Sequence, residues 1–339
     1  MQSTKTVETD DQSLDAEPRP LEWIEHTDDI HKKVVLVDWM LGNRCNYSCS
    51  YCPPALHDGS KGWQSYDDVL GMIEALQEHY HNRLGRRVWL QLTGGEPTLH
   101  PKIKEILSAA RAHDMKVSMI SNGSRTERFW LAIRDKLDSL ILTLHLEEAE
   151  FDHVHRVIAI LSEVIHVQVN LTMLPDRFDE SYEMARRLGA DFPNIAIVMK
   201  PLRLEFGDAL YPYSDEQIAK MKQHVWNPAA PRGWLRHARG TMTHHKADGT
   251  HEEIRADLFT LNRENRWQGW LCEAGLESLR ITGNGHVKRA VCNVGGHVGE
   301  IGRDIKLPMD PIVCDRESCS CVADILISRA RWHELPKSE

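Results

Sequence analysis

Residues 34–52 read VVLVDWMLGNRCNYSCSYC, a β-rich apolar run that leads into three closely spaced cysteines. Cys45, Cys49 and Cys52 offer three thiolates on one short loop, and their tight spacing requires the loop to curl around one centre. A structural zinc site takes four ligands, whereas three cysteines on an iron–sulfur cubane leave one iron free to bind a group that is not protein. The stretch therefore predicts an open metal centre at the end of a strand.

A second motif, Gly94-Gly95-Glu96-Pro97, comes directly after the apolar residues 88–92. The two glycines allow close approach of the backbone to a ligand. The carboxylate of Glu96 can accept hydrogen bonds from an ammonium group. The motif therefore predicts a binding turn at the end of a second strand.

The order and separation of the two motifs resemble the radical S-adenosylmethionine (radical SAM) superfamily. The shared features are the C-x3-C-x2-C loop, with Tyr51 just before the last cysteine, and the G-G-E-P motif. The resemblance implies that the three loop cysteines hold a [4Fe–4S] cluster whose open iron chelates the amino and carboxylate groups of SAM. It also implies that a 5′-deoxyadenosyl radical formed from SAM removes a hydrogen atom from the substrate.

Further cofactor contacts are implied by the same resemblance. The predicted SAM-binding residues are Tyr51, Gly94, Gly95, Glu96, Asn122, Thr143 and His145. Asn122 also fits an ordinary Asn-Gly turn, and His145 also fits a core or surface histidine. Lys200 and Arg203 follow the sixth predicted strand, where they could hold a carboxylate of SAM or substrate, or form a surface pair. Met199 could pack near adenine, although a lone methionine is usually a core residue.

A zinc loop is the alternative for the first motif, because His57 follows Cys52 by five residues and could complete a Cys3His site. This alternative leaves G-G-E-P without a role. The residues themselves identify no catalytic base.

The composition is that of a globular protein without a polyanionic partner. The 339 residues are 41% hydrophobic and 27% charged, and the net charge is −9. This charge argues against a polymeric nucleic-acid substrate. No apolar run is long enough for a membrane span, and the polar N-terminus has no apolar core of the kind that a signal peptide needs. We therefore expect a cytoplasmic protein with no membrane partner.

Apolar strands alternate with amphipathic helices about six times between residues 34 and 201, which predicts a parallel sheet with crossover helices. The resemblance specifies a partial (β/α)6 radical SAM barrel within this α/β class. We expect four segments. These are a disordered lead over residues 1–30, the barrel over 31–213, a linking and substrate-pocket segment over 214–269, and a small cysteine-rich domain over 270–339.

The last segment contains five more cysteines, which suggests a second metal centre. These are Cys272, Cys292, Cys314, Cys319 and Cys321. The start C-x-A-G, followed by a strand, a turn, a strand and a cysteine, resembles the auxiliary-cluster modules called Twitch or SPASM. Five cysteines are too few for the two clusters of a SPASM module. The Twitch type would use Cys272, Cys292 and Cys314 with either Cys319 or Cys321. A zinc ribbon is the alternative.

The resulting hypothesis is a radical SAM oxidoreductase acting on a small polar metabolite of the sugar, aminocyclitol or nucleoside type. Its cofactors would be a SAM-binding [4Fe–4S] cluster, SAM and an auxiliary [4Fe–4S] cluster that accepts an electron. Its partner would be a one-electron donor such as flavodoxin or ferredoxin. The alternatives are a peptide maturase, a redox-neutral epimerase or decarboxylase, and a non-enzymatic metal-stabilised binding or electron-carrier protein.

Overall fold

The computed structural model describes residues 21–204, 209–223, 237–254, 256, 259, 263–319 and 321–331. The described strands are β1 Leu21–His26, β2 Val34–Met40, β3 Gly42–Arg44, β4 Asp58–Trp63, β5 Arg87–Thr93, β6 Lys116–Ser121, β7 Ser139–Leu144, β8 His166–Met173, β9 Ala196–Pro201, β10 Met242–Lys246, β11 His251–Ile254, β12 Trp270–Cys272, β13 Ser278–Ile281, β14 His286–Lys288, β15 His297–Glu300, β16 Ile312–Val313 and β17 Arg329–Arg331. The described helices are α1 Asp29–Lys32, α2 Tyr66–Leu76, α3 Ile103–Ala112, α4 Glu127–Leu131, α5 Phe151–Ser162, α6 Phe178–Asp191, α7 Asp215–Gln223 and α8 Val322–Ile325. Within these ranges, no helix is both long and apolar enough to cross a membrane.

Six parallel strands form the main part of a nine-stranded sheet with the order β15-β14-β13-β2-β5-β6-β7-β8-β9. Strand β2 pairs in parallel with β5, and each strand from β5 to β8 pairs in parallel with the next. Parallel neighbours need a crossover connection, and α2 to α6 provide one between each pair. The predicted α/β alternation is confirmed. Strands β9 and β15 form the two edges of the sheet, so it is open, as expected for a partial barrel.

The two faces of this sheet differ in polarity. Side chains alternate between faces along a strand, and one set of alternate residues joins the helices in a single apolar core. Val37 of β2, Leu90 of β5 and Val169 of β8 are among these fully buried residues. The opposite face, here called the inner face, includes polar residues such as Asp38 and Lys200. The apolar positions therefore fix the register, and the inner face remains available for a site.

A second, antiparallel sheet corrects the predicted N-terminal lead. Its order is β11-β10-β1-β17-β12-β16, so β1 lies within a sheet. Residues 21–30, which were predicted to be disordered, instead form β1 and the start of α1, while residues 1–20 lie outside the described chain. Strand β1 pairs with β10, which belongs to the predicted linking segment 214–269. Pairing between residues more than 200 positions apart leaves no local mark in the sequence.

The C-terminal segment differs from the prediction in two ways. Strand β13 pairs in parallel with β2, so the segment expected as a separate small domain extends the main sheet. The sequence also favours one helix over residues 322–331, but the helix ends at Ile325 and β17 follows it. The Arg329 guanidinium explains this early end, because it donates to the carbonyls of Asp324 and Ile325. These bonds satisfy carbonyl groups that a longer helix would have paired within itself.

Candidate functional site

The cysteine loop connects β3 to β4, an antiparallel pair that closes its base. The Cys52 amide donates to the Cys49 carbonyl at 3.0 Å, which turns the loop back on itself. All three thiols are free, and Cys49 is 5% exposed. Burial raises the pKa of each thiol, that of Cys49 to about 11, and the charge of Cys45 adds to the effect at Cys49 and Cys52. The Cys45 thiol is therefore close enough for its charge to act on the other two.

The donor set fits an open cubane better than a single metal ion. Within the described ranges, no three His, Cys, Asp or Glu side chains are grouped to hold one ion. A zinc ion needs its ligands at about 2.0–2.3 Å from one point, whereas the cysteines of a cubane bind different irons and stand farther apart. His57 contacts the loop through its carbonyl, which accepts from the Cys45 amide at 3.3 Å. This arrangement does not support the Cys3His zinc alternative.

Gly94 and Gly95 bring the end of β5 against the chain that enters the cysteine loop. Their φ angles are +91° and +49°, which is the left-handed region that side chains disfavour. A Cβ on Gly94 would lie 2.5 Å from the Gly42 carbonyl oxygen, and a Cβ on Gly95 would overlap the Arg44 carbonyl oxygen. Both positions therefore require glycine. The close approach packs the glycine turn against the chain that enters the cysteine loop, and the predicted contact of these glycines with the SAM amino group stays a prediction.

The Glu96 carboxylate is fully buried and ties the ends of β5 and β6 together. One oxygen accepts from the amide and the hydroxyl of Thr98, at 3.0 and 2.5 Å, and from the Ser121 hydroxyl at 2.9 Å. The other oxygen accepts from the Asn122 amide at 2.8 Å. Burial raises the pKa of Glu96, and these four bonds oppose that shift. The role predicted for Glu96 toward the SAM amino group stays a prediction, on a carboxylate that already has four protein donors.

Asn122 links this turn to the cysteine loop. Its side-chain amide donates to the Cys45 sulfur at 3.8 Å and to the Asn46 side-chain oxygen at 3.1 Å. The Glu96 amide also donates to the Arg44 carbonyl at 2.8 Å. The first and second motifs, which are some forty residues apart in sequence, therefore form one structural unit.

Tyr51 and His145 form a hydrogen-bonded relay on the other side of the loop. The Thr172 hydroxyl donates to the Leu144 carbonyl at 3.2 Å, and its oxygen lies 3.1 Å from the Tyr51 hydroxyl. The Tyr51 hydroxyl lies 2.7 Å from His145 Nδ1. If each group donates to the next in the order His145, Tyr51, Thr172, then His145 Nε2 carries no proton. Burial lowers the pKa of His145 to about 4, so the ring is neutral at pH 7.

The remaining predicted positions separate into two groups. Thr143 and Lys200 lie on the inner face, and Lys200 stands beside Thr172 in the register of β8 and β9. Met199 is part of the apolar core, which agrees with the usual role of a lone methionine. Lys200 is exposed to solvent on the open inner face; the surrounding protein reduces its hydration and lowers its pKa, and the positive charge of Arg203 acts in the same direction.

Two glutamates that the sequence reasoning missed also contact the loop. Glu147 accepts from the amide and the hydroxyl of Ser50, at 2.7 and 2.5 Å. Glu148 accepts from the amide and the hydroxyl of Ser48, at 3.1 and 3.4 Å. The only sequence signal was an acidic pair just after His145, which reads as a solvated turn.

The C-terminal cysteines lie near Arg329, Asp324 and one another. Cys272 lies opposite Arg329 in the pairing of β12 with β17, and Arg329 donates to the Cys319 sulfur at 3.8 Å. The Cys292 amide donates to Asp324 at 2.6 Å. Burial raises the pKa of Cys272 to about 11, and the charges of Cys319 and Cys314 add to the shift.

Cys321 has a different environment. Burial raises its pKa to about 11, and the charges that also act on it belong to Asp324, Asp38 and Lys200. Asp38 and Lys200 lie on the inner face of the main sheet. Cys321 therefore lies between Asp324 and that inner face.

Comparison with known proteins identifies the domain that carries the loop. Residues 39–189 match the Radical SAM superfamily profile. The matched residues run from the end of β2 into α6 and include both motifs. The solved structure described as native anSMEcpe with bound AdoMet aligns over 79% of this chain and 78% of that chain, with a TM-score of 0.50 and 16% identity. At that identity the likeness concerns the fold alone.

Curated relatives match over shorter stretches. An S-adenosylmethionine-dependent nucleotide dehydratase from Psychrobacter lutiphocae is 36% identical over 106 residues, which are 28% of this chain and 35% of that protein. A protein of the same name from Fibrobacter sp. is 29% identical over 97 residues, or 28% of this chain and 29% of that protein. Mycofactocin maturase MftC from Mycobacterium ulcerans is 29% identical over 113 residues, which are 32% of this chain and 27% of that protein. The chain spans about a third or less of the length of these relatives.

Proposed function

We propose that this radical SAM domain cleaves S-adenosylmethionine and abstracts hydrogen from a small polar metabolite. The observation that carries the proposal is the joining of the two motifs. Three free thiols lie on one loop, and the glycine turn of the second motif packs against the backbone that enters this loop. The three thiols would be the ligands of an open cluster, and the adjacent glycine turn would receive the molecule bound to it.

Each part of the site has a role toward these cofactors. Cys45, Cys49 and Cys52 would hold a [4Fe–4S] cluster, whose chemistry would be the one-electron reduction of the SAM sulfonium to give methionine and a 5′-deoxyadenosyl radical. The backbone of Gly94 and Gly95 would receive the SAM amino group. The buried Glu96 carboxylate would act mainly by fixing the turn, since Thr98, Ser121 and Asn122 already occupy it.

His145 is suited to bind a hydroxyl group of SAM or substrate. Its pKa of about 4 keeps the ring neutral, and with the ring proton on Nδ1 toward Tyr51, Nε2 would be free to accept a hydrogen bond. Tyr51 fixes the orientation of the ring, because it hydrogen bonds to Nδ1 and stacks on the ring at a centroid distance of 6.0 Å. Asn122 and Thr143 would complete the polar wall of the SAM site.

The inner face supports a small polar substrate. Arg280 pairs with one oxygen of Asp38 at 2.6 Å, while the other oxygen is buried and has no hydrogen-bond partner among the described residues. An unpaired buried oxygen is costly unless a donor reaches it, and a substrate hydroxyl or ammonium group would provide that donor. Lys200 on the same face would donate hydrogen bonds to an oxygen atom of the substrate. Sugar, aminocyclitol and nucleoside substrates carry such groups.

A peptide substrate is the second candidate, because a mycofactocin maturase is among the relatives. The two candidates separate in one assay. The full chain, reconstituted and reduced without oxygen, is given SAM and a protease-treated, dialysable extract, and 5′-deoxyadenosine is measured. We expect this extract to raise 5′-deoxyadenosine formation severalfold over SAM alone. The same extract without protease treatment is tested in parallel. If only the untreated extract raises 5′-deoxyadenosine formation, the peptide maturase is favoured.

For the auxiliary site, we propose that Cys319 completes the ligand set and that Cys321 does not belong to it. Cys319 shares Arg329 with Cys272, and its pKa, which burial raises most, is also raised by the charge of Cys314. The set of Cys272, Cys292, Cys314 and Cys319 would then hold an auxiliary [4Fe–4S] cluster. An external flavodoxin or ferredoxin would serve as the electron donor of the enzyme.

Two serine variants test this assignment. We expect Cys319→Ser to lower the iron content of the reconstituted protein from about eight to about four per chain, because one cubane is lost. The matched variant Cys321→Ser, only two residues away, should keep about eight irons. Iron and acid-labile sulfide are measured after desalting. The opposite pattern, with iron lost only in Cys321→Ser, would reverse the assignment.

A further inference from the structure

The turn that follows β7 is hydrogen bonded to the cysteine loop through two exposed carboxylates. The amides of Glu148 and Ala149 both donate to the His145 carbonyl, at 3.1 and 2.8 Å, which closes a tight turn over residues 145–149. The Leu146 carbonyl in this turn also accepts from Arg177 at 3.3 Å. The backbone that carries Glu147 and Glu148 is therefore fixed by bonds within its own turn and by Arg177, independently of the loop that the two carboxylates contact.

The two carboxylates hold the residues on either side of the middle cysteine. Glu147 accepts hydrogen bonds from the amide and hydroxyl of Ser50, and Glu148 accepts hydrogen bonds from the amide and hydroxyl of Ser48. Hydrogen bonds to an ionised acceptor are shorter and stronger than those between neutral groups. Cys49 lies between these two anchored residues, and its side chain is buried.

We infer that Glu147 and Glu148 position the cysteine loop for cluster binding and, through their charge, lower the reduction potential of the cluster held there. This inference rests on the proposed function, because it concerns the same loop. The contacts on both sides of Cys49 limit the directions in which its thiol can point. A loop held in this way loses less conformational entropy when the cluster binds.

The charge effect has a separate physical basis. The reduction potential of an iron–sulfur cluster depends on net charge and on hydrogen bonds to its sulfur atoms. Two carboxylates beside the loop disfavour the addition of an electron. They also occupy the Ser48 and Ser50 amides, which are then unavailable as donors to cluster sulfur. Both effects act in the same direction, toward a more negative potential.

Paired variants separate charge from positioning. Glu147→Gln/Glu148→Gln keeps a hydrogen-bond acceptor at each site and removes the charge, whereas Glu147→Ala/Glu148→Ala removes both. Glu150→Gln is the matched control, because Glu150 is an exposed carboxylate in the same segment and makes no side-chain hydrogen bond to the start of α5.

The first measurement is the midpoint potential of the cluster whose EPR signal changes when SAM is added. We expect a positive shift in Glu147→Gln/Glu148→Gln relative to wild type and to Glu150→Gln, with the iron content unchanged. The same potential in all three proteins would overturn the charge role.

The second measurement is amide hydrogen exchange at residues 48 and 50 in the full chain, before and after reconstitution. In Glu147→Ala/Glu148→Ala we expect exchange about tenfold faster than in wild type, since loss of the bonds allows local opening, and less iron on the first loop. Unchanged exchange and iron would overturn the positioning role. A wild-type first loop that takes up no iron would instead contradict the proposed function, and exchange in the unloaded protein would still report the contacts.

Discussion

Gly95→Ala is expected to reduce SAM cleavage by about 100-fold, the cost typical of a displacement of about 1 Å at a reacting centre. The new Cβ would overlap the Arg44 carbonyl oxygen, which directly precedes Cys45. The backbone at Gly95 also has a φ of +49°, which is unfavourable for alanine. Relief of the overlap must move either the glycine turn or the start of the cysteine loop. The measurement is the rate of 5′-deoxyadenosine formation by the reconstituted protein.

Gly85→Ala is the matched control for this substitution. Gly85 has a φ of +62°, and a Cβ there would have no atom within 4 Å. The control therefore introduces the same kind of backbone strain without the overlap. We expect it to lower the melting temperature slightly and to keep near wild-type SAM cleavage. If Gly95→Ala cleaves SAM as fast as Gly85→Ala, the close packing of the two motifs has no role in the reaction.

Replacement of all three loop cysteines, in Cys45→Ala/Cys49→Ala/Cys52→Ala, is expected to abolish 5′-deoxyadenosine formation while the protein stays folded. The reaction is lost because the remaining loop has no thiolate ligand. The fold is retained because the three thiols form no disulfide, and the main core lies on the helix side of the sheet. Circular dichroism and the melting temperature of the unloaded protein check the fold. Residual SAM cleavage above the SAM-only background would contradict the assigned role of the loop.

The parallel sheet could be predicted because its determinants are local. Apolar runs such as residues 88–92 and 139–144 are bounded by turn residues and separated by helices with one apolar face. The core is formed by alternate strand residues packed against these helix faces, which is the pattern visible in the sequence. The site motifs stand at the carboxyl ends of these strands, where parallel α/β proteins place functional groups.

The second sheet could not be predicted, because it depends on partners distant in sequence. Residues 21–26 look like the end of a polar lead, and they become a strand only through pairing with β10 and β17. The early end of α8 has a similar cause. Arg329 reads as one more residue of a terminal helix, but its guanidinium bonds to Asp324 and Ile325 and lies 3.9 Å from the Trp267 ring centre.

The candidate site shows the same division between local and distant information. Cys45, Cys49, Cys52, Gly94 and Gly95 stand out in the sequence because cluster binding and positive φ angles demand specific residue types. Glu147 and Glu148 do not stand out, because their contacts with the cysteine loop come from across the fold. The environment of Cys321 is likewise a tertiary property, since spacing alone did not distinguish Cys319 from Cys321.

The most direct test of the central claim is the iron and sulfide content of the full chain, reconstituted without oxygen, for wild type and for Cys45→Ala/Cys49→Ala/Cys52→Ala. We expect about eight irons per wild-type chain, falling to about four in the variant, as two cubanes with one on the first loop require. A fall from about four irons to none would mean that the first loop holds a cluster and that the C-terminal cysteines hold none. An iron content that is the same in both proteins would show that the first loop binds no cluster, and the proposed radical SAM chemistry would then be wrong.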